Sequence, residues 1–160
     1  MLKKGQLHLS FGMIFSIIII IAIIGVAIYF ISNFLGTTKC VEVGFFYDNL
    51  KTHIEKAWRS TIHQDTFADS LPSEIELVCF GNFTQTPLNE YKDEYEYLKR
   101  RYFDKNLFLY PPQKACDGEL SSFSLDHIKT NNFFCVPVKE GKAQIKTEKG
   151  NFDSLVTISP

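Results

Sequence analysis

Residues 5–38 contain no Lys, Arg, Asp or Glu, and within that gap residues 13–31 are apolar apart from Ser16 and Gly25. A helix crosses a hydrocarbon core about 30 Å thick with roughly 20 apolar residues, whereas the apolar part of a secretory signal has only about 7 to 15. The run therefore predicts a membrane-spanning helix over 9–35, between a short basic leader, 1–8, and a domain of residues 36–160. Tyr29, Phe30 and Phe34 suit an aromatic belt at one interface, as Phe11 and Phe15 do at the other.

Beyond the span the periodicity changes. Phe46, Leu50, Ile54 and Trp58 recur every three or four residues with charged residues between them, which predicts an amphipathic helix. Gly36 and Gly44 leave open whether it runs on from the membrane helix. Residues 63–72 read as a polar loop and 74–80 as an alternating strand. Leu88, Tyr91, Tyr95, Leu98 and Tyr102 mark one face of a second helix, with Glu96 and Arg100 on its wet side. A short strand, 107–110, is stopped by Pro111 and Pro112. Residues 133–138 and 142–147 flank a turn at 139–141 and read as a hairpin, and 155–159 is a last strand. The order predicts an α+β fold: a transmembrane helix, an amphipathic helix and a small, strand-rich head of mixed α/β character.

Charge adds direction to this picture. Lys3 and Lys4 precede the span, and only Lys39 lies close after it, so the positive-inside tendency puts the N-terminus in the cytoplasm and residues 36–160 outside the cell membrane. Of 17 basic and 18 acidic residues, only Lys3 and Lys4 precede the head, which leaves it 15 against 18, a formal −3. That balance gives no expectation of nucleic acid as a partner; the lipid bilayer is the partner the pattern implies. About 125 residues suffice for one core.

Cys40, Cys79, Cys116 and Cys135 all fall on the external side, which predicts two disulfides. Four cysteines allow three pairings. Cys79 and Cys135 lie in strand-like segments and are the favoured pair, leaving Cys40 with Cys116. Without a Cys-x-x-Cys, zinc held by cysteine is not expected.

Catalytic chemistry is thin. His53, His63 and Asp65 are the types needed for a metal or an acid–base pair, but His53 reads as part of a charged helix flank and the other two as loop residues. No phosphate loop, nucleophile elbow or metalloprotease signature occurs, so neither an enzyme, a metal, a cofactor nor a small-molecule ligand is expected. Asn82 heads an Asn-Phe-Thr glycosylation sequon. Gly12 and Ser16, four apart in the span, would permit close helix packing.

The opening, with Lys4, Gly5 and Gln6 directly before the apolar run, resembles the class III signal sequence of archaeal type IV pilin-like proteins. The resemblance covers about the first 35 residues. It implies cleavage by a prepilin peptidase after Gly5, with Lys4 as the basic residue and Gln6 as the new N-terminus, and other pilin-like subunits as partners. Many members carry a glutamate five residues into the mature chain, where this chain has Ser10. The same opening is similar to that of uncharacterised single-span archaeal proteins.

Overall fold

The structure, a computed structural model, describes residues 11–102 and 104–160, and the chain divides between Gly36 and Thr37 into two compact units. Helix α1 is Phe11–Arg59. Its portion in the first unit is apolar all round, with side chains such as Ile17, Ile21 and Phe30 exposed, the composition a helix needs when lipid rather than protein is its surrounding.

In the second unit α1 shows the opposite design, a single buried face made by Val43, Phe46, Tyr47, Leu50, Ile54 and Ala57. The helix stops where Lys149 reaches back to its last carbonyls, its ammonium donating to Trp58 O and, at 2.8 Å, to Ser60 O. A cation at a helix C-terminus satisfies carbonyls that have no partner within the helix.

Among the described residues eight strands form two four-stranded sheets. In chain order they are β1 (His63–Ser70), β2 (Leu77–Phe80), β3 (Leu107–Tyr110), β4 (Ser122–Phe123), β5 (Ile128–Lys129), β6 (Phe134–Pro137), β7 (Lys142–Lys149) and β8 (Val156–Ser159). The first sheet has the order β1-β7-β8-β5 and the second β4-β3-β2-β6. All pairs are antiparallel except β5 with β8. Helix α2 (Lys92–Lys99) follows a 3₁₀ turn at Asn89–Tyr91.

Two apolar clusters hold these elements together. The larger joins the α1 face to inward residues of both sheets, among them Phe67, Ile145 and Ile158 of the first and Val78, Phe80 and Leu109 of the second. The smaller lies on the other face of the second sheet, where Cys79, Phe108, Phe133 and Cys135 meet Tyr95 and Leu98 of α2. The second sheet is thus covered on both faces, and Gly81 shows how tightly: at φ 125°, a Cβ there would lie 2.9 Å from Phe133 Cα.

Several elements differ from the sequence reading, each for a physical reason. Residues 63–70 are strand β1 and not a loop, pairing with β7 along all eight residues. An edge strand with one wet face needs little apolar content, and here Phe67 alone is buried. Residues 74–76 lie outside β2, although Ile75 is buried beside it. The α2 pattern ends early, so Tyr102 lies beyond the helix, where its hydroxyl meets Ser121 Oγ.

The expected hairpin is the most instructive difference. The turn is present: Lys139 and Lys142 exchange backbone hydrogen bonds of 2.9 Å across Glu140 and Gly141, both at positive φ. The strands on either side nevertheless part, β6 pairing with β2 and β7 with β1 and β8. Turn chemistry specified the reversal. Burial chose the partners, because β6 needs two covered faces and β7 only one.

Candidate functional site

The segment Gly12–Ser32 has 21 residues and a mean hydropathy of 3.1, with none of it buried in the protein. At 1.5 Å per residue it is about 31 Å long, enough to cross a bilayer core. Ser16 and Ser32 donate their hydroxyls to Gly12 O and Ile28 O at 2.8 and 2.9 Å, so each is satisfied within its own helix. Gly12 and Ser16, read as a packing pair, thus bond to each other along the helix. The proposed cleavage residues, Lys4, Gly5 and Gln6, lie outside the described residues.

The head contains two disulfides. Cys79 and Cys135 sit opposite each other on β2 and β6 and are bonded there. Cys40, in α1, is bonded to Cys116. Asn82, just after β2, accepts from Thr84 N at 3.1 Å and from the Thr84 hydroxyl, folding the sequon into an exposed turn.

Among the described residues, one cluster of polar side chains has the composition of a reactive site. His63 and Asp65 alternate along β1 with Phe67 and Asp69 on the same side of the strand. Phe67 packs against Phe46 and Asp69 accepts from Asn49 Nδ2 at 2.8 Å, so this side is the one turned toward α1. His53 lies one helical turn beyond Asn49. Its ring centroid is 5.3 Å from those of both His63 and Phe67.

Thr147 of β7, fully buried, joins the cluster from below. Its hydroxyl donates to Asp65 O at 3.2 Å, and both histidine Nε2 atoms converge on it, at 2.9 Å from His53 and 3.2 Å from His63. With the hydroxyl proton directed at Asp65 O, the oxygen accepts from both rings and each Nε2 carries a proton. Burial holds the His53 pKa below its ordinary value; the neighbouring His63 and Lys56 act in the same direction and Asp65 against it.

These placements revise the sequence reading. His53 is half-buried at the contact of α1 with β1 rather than on a charged flank, and His63 and Asp65 belong to a strand. The spacing carried a signal for the first: His53 is seven residues after Phe46 and three after Leu50, on the buried arc of the helix. Thr147 was missed altogether, because only the pairing of β1 with β7 brings it beneath the histidines.

Elsewhere the perturbed groups are structural. Burial raises the Tyr47 pKa, and its hydroxyl donates to Leu120 O. The Lys39 ammonium, 2.8 Å from Glu74, lowers that carboxyl, and Lys129 does the same to Asp153. No protein-family model matches this chain, and no curated protein or solved structure matches it either.

Proposed function

We propose that the protein is a single-pass membrane protein that holds its short N-terminus in the cytoplasm and presents residues 37–160 at the cell surface as a disulfide-braced α+β head. The observation that carries this reading is the pairing of all four cysteines in a chain whose first helix also has an unburied, 21-residue apolar segment. Disulfides persist in oxidising compartments, and unburied apolar side chains in such a helix need lipid.

Within that frame the protein is a pilin-like subunit, or a minor component of a type IV pilus-like assembly, cut after Gly5 so that Gln6 begins the mature chain. The basis is the resemblance of Lys4, Gly5 and Gln6 to a class III leader. The second reading is an uncleaved, anchored head that binds a surface partner. Ser10 favours it, because it stands where a glutamate would neutralise a neighbour's terminal amine in an apolar filament core.

The test is the N-terminal sequence and intact mass of the protein from native membranes, alkylated with and without reduction. A chain starting at Gln6 supports the pilin-like reading, and one starting at Met1 or Leu2 overturns it in favour of the second. Four alkylated thiols without reduction would overturn the external placement of the head.

A further inference from the structure

We propose that His53, His63 and Asp65 form a binding site for one divalent transition-metal ion of the zinc class, which clamps α1 to the edge strand β1. One ring nitrogen from each histidine and one carboxylate oxygen lie within 4.8 Å of one another. The two Nε2 atoms come together at Thr147 Oγ1, which puts both rings beside one another, and each turns off that hydroxyl to face an ion.

The donor set selects the ion. Two imidazoles and one carboxylate suit zinc and its neighbours, whereas calcium and magnesium prefer oxygen donors alone and copper(I) prefers sulfur. All four thiols are tied up in disulfides and do not compete. Zinc bonds of about 2.0–2.2 Å in a tetrahedron hold ligand atoms roughly 3.3 Å apart. The trio must therefore contract by about 1.5 Å from that 4.8 Å limit. Asp65 is exposed on β1 and makes most of that movement by rotating away from the hydrogen bond its Oδ1 accepts from Thr66 N at 2.8 Å.

Proton bookkeeping is consistent with an ion. A neutral ring keeps one proton, so on binding the proton moves from Nε2 to Nδ1 and the Nε2 lone pair turns to the metal. Thr147 keeps its own donation to Asp65 O and so continues to hold β1 in place beneath the rings. Histidine binds metal in its uncharged form. Three protein ligands leave a fourth position for water, on the side of the exposed carboxylate.

The site also explains the make-up of the strand. β1 has a single buried side chain, yet it is eight residues long and forms the sheet edge. A metal link between His53 on the helix and two alternate residues of β1 would hold this edge where apolar contact is sparse.

The test uses the full chain in detergent micelles, stripped with chelator and titrated with zinc chloride by calorimetry and with cobalt chloride by visible absorption. One ion per chain is expected, with tetrahedral cobalt bands and a raised melting temperature on adding zinc. His63→Gln and Asp65→Asn should each weaken binding by about 10- to 100-fold or more, the range found even for residues that only orient a metal ligand. Asp65 is exposed, so Asp65→Asn remains informative if the histidine variant does not fold. The absence of saturable binding by the unaltered chain, or binding of the same affinity and stoichiometry in Asp65→Asn, overturns the proposal.

Discussion

The two sheets of the head solve opposite problems. In the second sheet, Val78, Cys79 and Phe80 are consecutive and all buried, as are Leu107, Phe108 and Leu109, because the large cluster covers one face and α2 the other. In the first sheet β7 alternates, with Ala143, Ile145 and Thr147 buried and the residues between them exposed. The comparison teaches that what a strand looks like in sequence is set by how many of its faces are covered. It also shows where chemistry has room: in the second sheet buried positions are apolar, whereas the first admits a buried hydroxyl and two histidines where α1 crosses it.

The sharpest way to break the comparison is from the side of the second sheet. Phe108→Ala removes a ring packed against Phe83, Tyr102 and Phe133 and is expected to cost about 3–5 kcal/mol, measured by urea denaturation followed by circular dichroism. Next is the Cys79–Cys135 bond within that sheet. Replacing both residues with Ser opens a loop of separation 56 and should cost about 4 kcal/mol on the chain-entropy account. The Cys40–Cys116 pair, with separation 76, should cost only a few tenths more, so a much larger difference between the two double variants would show that packing and not loop closure dominates.

A smaller effect separates the sheets by pH. His53 has its pKa lowered in the folded state, so the folded head binds this proton less readily than the unfolded chain does. Stability from this group is full above the ordinary histidine value of 6.5 and is lost as pH falls through that value toward the lower folded one. Burial is the main cause of the shift, with His63 and Lys56 adding to it and Asp65 opposing it. The slope should be present in denaturation midpoints between neutral and mildly acidic pH and should disappear in His53→Gln. At the bottom of the scale, Thr66→Val on the wet face of β1 should change stability by less than about 0.5 kcal/mol. A larger loss would mean that this face is covered after all.

Legibility from the sequence follows the same division. The α1 face from Phe46 to Ile54 and the runs that become β3 and β6 were visible because helical spacing and unbroken apolar stretches leave few alternatives. β1 was not, since seven of its eight residues escape burial and a strand stabilised by pairing with β7 need not announce itself. The histidine cluster stayed hidden for that reason: His63 and Asp65 share a face only once 63–70 is extended. The turn at Glu140 and Gly141 was plain, yet its strands join different sheets, because local signals do not carry partner identity over long sequence separations.

The bond from Cys40 to Cys116 also decides how the head responds to force. When the chain is pulled between Thr37 and Pro160, tension entering near Cys40 passes straight through the covalent bridge to Cys116, bypassing the stretch between them. That stretch, a sequence separation of 76 and about 260 Å of contour when extended, is removed from the length that can be drawn out. Of the part after Cys116, β6 stays tied to β2 through the Cys79–Cys135 bond, so a loaded head gives up β7 and β8, which lie beyond Cys135, before the strands that the two bonds enclose.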